Sequence, residues 1–246
     1  MDLNLLRSLL KYPAPVQYLD QVPSTNTHLL TLAREGAPAG TAVLAGQQSA
    51  GKGLRGRSFF SPSGGLYLSL LVESQGASPG QLTTLAAVVA AQSLEALSGL
   101  AIQIKWVNDL MLRGRKLGGI LCEGVIRGGR LHQTVIGIGL NLGGAAFPQE
   151  LAASAISLTE YKQPLTLERL AASLINGIMD ALPQVPAHMV DYRARCVNLG
   201  QQVRFEYQGQ ERSGIALDVD DQGALLVRTD QGVLRLLAGD VSLIRD

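Results

Sequence analysis

Three cations set among glycines, in Gly51-Lys52-Gly53-Leu54-Arg55-Gly56-Arg57, form the segment whose chemistry is easiest to read. Glycine lets a backbone bend sharply and approach a ligand closely, and the cations complement several anionic oxygens. A polyphosphate or a mixed anhydride suits such a loop; a solvated basic turn is the plain alternative. Gly46 through Lys52 also matches the start of the phosphate-binding pattern G-x-x-x-x-G-K-[ST], but Gly53 stands where the Mg2+-binding hydroxyl is needed. The P-loop reading fails at that residue.

Three further segments place polar groups at strand ends. Lys105-Trp106-Val107-Asn108-Asp109 closes an apolar run with a cation, a ring, an amide and a carboxylate, at the kind of sheet edge where ligands sit. Asn-Asp is also ordinary turn chemistry, and Trp106 suits a core as well as a ligand. Gly114-Arg115-Lys116-Leu117-Gly118-Gly119-Ile120-Leu121-Cys122-Glu123 starts as a basic turn, so Lys116 could reach a site without being buried in the sheet. Gly137-Ile138-Gly139-Leu140-Asn141-Leu142 pairs glycines that permit close approach with an amide at the strand end. His28, His132 and His188 are scattered, which gives no metal pattern, and no serine sits in a G-x-S-x-G elbow.

Elements must position these groups. Ser24 is a good N-cap for a helix to about Glu35, and strands are predicted over 42–47, 66–72, 102–107, 118–126 and 131–142. Arg127-Gly128-Gly129-Arg130 reads as the hairpin turn between the last two. Helices are predicted near the N-terminus, from the Pro79 loop to about Leu97, and over 166–182; Pro183 and Pro186 end the last, with a linker of roughly ten residues after it. Beyond Leu199, short β runs separated by Gln208-Gly209, Gln222-Gly223 and Gln231-Gly232 suggest a small antiparallel barrel. The chain thus divides into residues 1–195 and 196–246, an α/β (α+β) part and a β part.

Composition narrows the class. Lys and Arg number 21 against 20 Asp and Glu, so no global charge draws the chain to nucleic acid or an anionic membrane, and any anion site must be local. Two distant cysteines, Cys122 and Cys196, suit a reducing compartment, and the longest uncharged stretch, 74–94, is too polar to span a bilayer. A cytoplasmic protein is expected.

Taken together, these segments resemble biotin protein ligases from about Ser24 to the C-terminus. Ser24-Thr25-Asn26, Gln48 with the 51–57 loop, Ser61-Pro62 with Gly64 to Ser69, and the three strand-end motifs occur in family order. Gly223 to Val227 and Gly239-Asp240-Val241-Ser242-Leu243 resemble the family's C-terminal barrel. The resemblance implies a central mixed sheet with helices on one side, like class II aminoacyl-tRNA synthetase catalytic domains, and an SH3-like barrel. It implies two half-reactions: the biotin carboxylate attacks the α-phosphate of ATP, with Mg2+ present, and an acceptor lysine of a biotin carboxyl carrier domain then expels AMP. By motif position, Ser24, Thr25, Asn26, Gln48, Lys52, Gly53, Leu54 and Lys116 should contact biotin. Lys52, Arg55, Arg57, Phe59, Lys105, Asn108 and Asn141 should contact the nucleotide. Lys116, Arg55 and Arg57 should carry catalysis, and the metal ligands stay unassigned.

Three departures stand out: Lys52 replaces an arginine, Phe59 stands where many members have tryptophan, and Leu54 occupies a position that is arginine in well-studied members. Some members carry an N-terminal DNA-binding module, for which the roughly twenty residues before Ser24 leave no room, so no nucleic-acid partner is expected. Oligomeric state stays open, a homodimer included. A lipoate or octanoate ligase on the same fold and a non-catalytic biotin sensor are the alternatives; Lys116 weighs against the sensor.

Overall fold

The computed structural model describes residues 1–144, 146–161, 165–237, 239 and 241–244. Asp240, part of the tail motif, lies outside them. Its strands are β1 (Val16–Val22), β2 (Ala42–Gln48), β3 (Leu66–Glu73), β4 (Gln103–Lys105), β5 (Asp109–Leu112), β6 (Arg115–Arg127) and β7 (Arg130–Leu140). They form one mixed sheet in the order β1-β2-β3-β7-β6-β5-β4, in which β1 and β2 run parallel and the other neighbours are antiparallel. Helices α1 (Leu3–Leu9), α2 (Thr25–Arg34), α3 (Pro79–Ser98), α4 (Gln149–Ala152), α5 (Leu167–Ala181) and α6 (Met189–Arg195) accompany it. A second, antiparallel sheet holds β8 (Gln202–Tyr207), β9 (Gln210–Val219), β10 (Leu225–Thr229), β11 (Gly232–Leu236) and β12 (Val241–Leu243).

Side chains alternate across each strand, so the large sheet has two distinct faces. Leu68 and Leu70 of β3 and Ile136, Ile138 and Leu140 of β7 enter the main core with α1, α3 and α5. The Ala-rich α3 is buried along most of its length, which lets α5 approach closely; Gly177 of α5 lies against Val89. Leu71, Val125 and Val135 point to the other face, where Leu29, Leu30 and Ala33 of α2 cover them and Val43. Three helices therefore line one face, as the resemblance implies, and α2 adds a cover on the opposite one.

Local signals account for several boundaries. Ser24 caps α2 by accepting from the Thr27 amide at 3.4 Å. Ser78 and Gln81 form a reciprocal capping box at the start of α3, and Gly99 ends it in the left-handed region. Arg127 pairs with Arg130 across the predicted Gly128-Gly129 turn. Gln208-Gly209 closes β8 and β9 with both residues at positive φ, as a tight hairpin twist requires.

Two sequence expectations need correction. The strand expected over 102–107 is broken: β4 stops at Lys105, Trp106 to Asn108 turn, and Asp109 opens β5. Partners from the C-terminal half hold this turn, because Trp106 N–H donates to Asn198 Oδ1 at 2.7 Å and the Tyr192 hydroxyl donates to the Val107 carbonyl at 3.0 Å. The expected ten-residue linker after α5 is instead a short 3-10 turn followed by α6, whose Met189 and Tyr192 are buried one turn apart. Strands β1, β5 and β12 are additions that periodicity did not indicate.

Candidate active site

A two-lobed cleft lies on the α2 face of the large sheet. There β6 and β7 carry Gly119, Gly137 and Gly139, and side chains from elsewhere occupy the space. A Cβ at Gly137 would come within 2.2 Å of Asn26 Oδ1, and one at Gly139 within 2.5 Å of the Phe59 ring. These glycines are needed for close approach rather than for an unusual backbone.

The first lobe has a floor of uncharged polar groups. Gln48 Oε1 accepts from the Thr25 amide at 2.8 Å and the Thr25 hydroxyl at 3.1 Å, while Gln48 Nε2 donates to Ser61 Oγ at 2.9 Å. The Ser69 hydroxyl reaches Thr25 Oγ1 at 2.8 Å and Asn26 Oδ1 at 2.6 Å. Asn26 Nδ2 donates to Glu123 Oε2 at 2.8 Å and the Leu121 carbonyl at 3.2 Å. Ser24, Thr25, Asn26 and Ser69 are all buried, so this chain of bonds holds a fixed pattern of donors and acceptors.

The glycine-rich segment folds over the same lobe as a narrow loop. Lys52 bridges to Ser58, Gly53 N–H donates to the Arg57 carbonyl at 2.7 Å, and Phe59 N–H donates to the Gly51 carbonyl at 2.8 Å. Its tip is a single turn over Leu54–Gly56, with Arg55 at φ 57°. Gly53, Leu54, Arg55 and Arg57 all line the lobe.

Cations gather in the first lobe, and two of them, Lys105 and Lys116, stand where it meets the second. Lys52, Arg55, Arg57, Lys105 and Lys116 line the first lobe, and Asp109 is the one carboxylate among its described lining residues. A chain of net charge +1 thus concentrates positive potential at this point. Lys116 Nζ lies 2.5 Å from Asp109 Oδ1 and 6.0 Å from the centre of the Phe59 ring. Burial pushes the Lys105 ammonium below its usual pKa, Asp109 pulls it back, and Lys116 and Arg57 push it further down.

Ser58, Phe59, Lys105, Asp109 and Lys116 also wall the second lobe, which extends to Asn141, Phe60, Phe147, Leu151 and Ala155. The Phe60 and Phe147 rings pack at 6.3 Å. Lys116 bonds backbone to backbone with Ser154 and Ile156, which ties this wall to the start of β6. Asn108 Nδ2 donates to the Ile120 carbonyl at 2.8 Å, bracing the β4–β5 turn against β6.

The structure brings Ser24, Thr25, Asn26, Gln48, Lys52, Gly53, Leu54, Arg55, Arg57, Phe59, Lys105, Asn108 and Lys116 around the first lobe, and places Asn141 in the second. Sequence reading did not single out Asp109, Ser69 or Glu123 as site residues. All three lie inside the family-like motifs, but their partners, Lys116 for Asp109 and Asn26 for Ser69 and Glu123, come from other strands and helices. Trp106 combines both earlier readings: it lines the lobe, and its buried indole Nε1 donates to the Gly223 carbonyl in the turn between β9 and β10 at 2.9 Å.

With this geometry in view, residues 18–141 match the model of the biotin/lipoate A/B protein ligase family, and residues 199–244 match the biotin protein ligase C-terminal domain. The chain belongs to the biotin/lipoate A/B protein ligase family, a class of ligases. It is 33% identical to the biotin--[acetyl-CoA-carboxylase] ligase of Mycobacterium tuberculosis, over 92% of this chain and 87% of that one. It is 31% identical to the bifunctional ligase/repressor BirA of Bacillus spizizenii, over 92% of this chain and 73% of that one. The biotin protein ligase of Aquifex aeolicus, solved in complex with biotin and ATP, superposes with a TM-score of 0.81 at 24% identity, covering 94% of this chain and 99% of that one.

Proposed function

We propose that this chain activates biotin with ATP as biotinyl-5′-adenylate and transfers the biotinyl group to a lysine of a biotin carboxyl carrier domain. The observation that carries the reading is a juxtaposition: an uncharged hydrogen-bonding floor lies in the same lobe as Lys116, Lys105 and Arg57. A neutral ureido ring suits the first part, and a carboxylate becoming a mixed anhydride suits the second.

In the first half-reaction a carboxylate oxygen attacks the α-phosphorus, the bond to the bridging oxygen breaks, and pyrophosphate leaves. Two anions must approach each other, so fixed cations lower the barrier by holding charge that is already oriented. Lys116, drawn into place by Asp109, takes the carboxylate and α-phosphate oxygens; Arg55, Arg57 and Lys52 close over the phosphates from the loop. Lys105 sits partly desolvated beside them, where its charge acts through little water. Phe59 and the apolar wall of Phe60 and Phe147 offer ring faces to the adenine, with Asn108 and Asn141 on the nucleotide side.

Mg2+ would enter with ATP and would supply positive charge to the phosphate oxygens as pyrophosphate leaves. Asp109, the carboxylate that both lobes share, would face the ion from beside Lys116. In the second half-reaction an acceptor amine attacks the anhydride carbonyl and AMP departs, with Lys116 again facing the oxygens whose charge changes.

No helix among the described residues is long and apolar enough to cross a membrane, and a cytoplasmic setting fits two free cysteines. In this reading residues 196–246 form their own unit, an SH3-like barrel, and the support for it is the separate antiparallel sheet β8–β12. Octanoate or lipoate ligation would need an apolar first lobe, and the Thr25, Asn26, Gln48 and Ser69 floor favours biotin. Biotin-dependent exchange of labelled pyrophosphate into ATP tests the proposal. Exchange with biotin and none with octanoate is expected; exchange with octanoate alone, or with neither acid, overturns it.

A further inference from the structure

Asn26 is buried, 4% exposed, and lines the first lobe, yet its amide is already largely committed within the protein. Glu123 Oε2 lies 2.8 Å from its nitrogen and the Leu121 carbonyl 3.2 Å, so both amide hydrogens have acceptors. A carboxylate only accepts, so the nitrogen end must face Glu123 and the oxygen end must face away. Ser69 meets that oxygen at 2.6 Å from the neighbouring strand, 43 residues away in sequence. Gly137 leaves room for the amide to lie flat on the sheet, where any side chain would collide with it.

A second anchor fixes the other end of the network. The Ser61 hydroxyl donates to the Phe59 carbonyl at 2.9 Å and so accepts from Gln48 Nε2, which turns Gln48 Oε1 toward Thr25. From both ends the amide oxygens are fixed: Gln48 Oε1 accepts from Thr25, and Asn26 Oδ1 accepts from Ser69 and lies over Gly137, which lines the lobe. A planar amide with both hydrogens used has only a remaining oxygen lone pair to offer a ligand.

We infer that Glu123 is a specificity-determining positioning residue: by holding the Asn26 amide it makes the first lobe present an acceptor to a ring N–H of the substrate. The inference rests on the biotin reading of this lobe and adds the residue that sets its polarity. Without Glu123 only the longer bond to the Leu121 carbonyl holds the Asn26 nitrogen, and the amide can turn that nitrogen into the lobe, where it would face an N–H donor with another donor. An acyl chain lacking a cyclic urea gains nothing from the arrangement, since it brings no N–H to the oxygen lone pair that Ser69 leaves open.

The test uses the full chain, pyrophosphate exchange, and three acids: biotin and the two cyclic carbamates in which one or the other ring N–H is replaced by oxygen. Glu123→Met is close in size and removes the acceptor. It is expected to raise KM for biotin about tenfold or more while kcat at saturation changes less than about threefold, because the cations are untouched. Wild type should discriminate against one carbamate by about tenfold or more, and Glu123→Met should shrink that ratio several-fold, a change that loosened packing alone would not produce. Glu123→Gln keeps an acceptor and should return the biotin KM to within about threefold of wild type. Ser69→Ala, which frees the oxygen end of the same amide, should also shrink the ratio and serves if the Met variant fails to fold. An unchanged biotin KM in Glu123→Met, or a raised KM with the carbamate ratio intact, overturns the inference. Wild-type protein without biotin-dependent exchange overturns the ligase reading first, and the inference with it.

Discussion

The α2 face of the large sheet has two ends built on the same strands and put to opposite uses. At one end Val43, Leu71, Val125 and Val135 meet Leu29, Leu30 and Ala33 and exclude water. At the other, one or two pairs further along the same strands, Ser69, Leu121, Gly119, Gly137 and Gly139 leave a trough that polar and cationic groups border. In β7 the change from Val135 to Gly137 takes two residues, one step on the same face. A site on this sheet is thus made by withholding side chains from a face that would otherwise be core, and the adjoining apolar end keeps it rigid.

The comparison can be broken from either end. Leu71→Ala removes a fully buried side chain from the covered end and is expected to cost about 2–5 kcal/mol of stability. Pyrophosphate exchange at a temperature where the variant is folded should stay within about threefold of wild type. A large loss of exchange without a shift in the denaturation midpoint would mean the two ends are not separable.

Lys116→Ala acts on the open end and should do the reverse. Loss of the ammonium from the point where charge changes is worth roughly 3 kcal/mol, or more than a hundredfold in kcat/KM. The partner Asp109 is left without its 2.5 Å cation in a partly exposed site, so the circular dichroism melt should move little. Exchange within about threefold of wild type removes the catalytic role given to this lysine.

Gly137→Ala sharpens the boundary between the ends. Its methyl would fall within 2.2 Å of Asn26 Oδ1 and must push the amide off the sheet, an overpacking cost of about 1–3 kcal/mol. Biotin KM should rise about tenfold or more, while KM for ATP stays near wild type. Equal rises in both would place Gly137 in general packing.

The smallest effect is a control from the opposite face. Burial pushes His188, which pairs with Thr84 Oγ1 at 2.8 Å, down to about 4, and the nearby Arg193 adds to the shift. The unfolded chain takes up this proton near the ordinary value of 6.5 and the folded chain only near 4, so stability is lost as pH falls through that window. After allowance for partial exposure the loss is about 1–2 kcal/mol. Urea midpoints for wild type and His188→Gln should converge as pH drops from 7 to 4.5; a constant gap removes the histidine as the cause.

Much of this architecture was legible in the sequence where one local signal decided the outcome. The Ser24 cap, the Gly128-Gly129 hairpin and the alternation along β3 and β7 each depend on neighbours in the chain. Local signals ran out where partners are distant. Strand β4 has three residues and β5 four, too few to show a period, and the turn between them is held by Tyr192 and Asn198, some 85 to 92 residues away. Helix α6 follows two prolines and spans only seven residues, so Met189 and Tyr192 gave too short a pattern to distinguish from a linker. The site motifs were visible as segments, but the bond between Asn26 and Glu123, across 97 residues, needs the folded sheet to be seen.

Native mass spectrometry of the protein after incubation with biotin, ATP and Mg2+ reads the intermediate itself. Wild type should gain the mass of one biotinyl-adenylate, discharged when a carrier domain with its acceptor lysine is added and that domain gains one biotinyl group. Lys116→Ala should show bound biotin without the adenylate. Wild-type protein that binds biotin and ATP as separate molecules, with no adenylate formed and no label on the carrier, would contradict it.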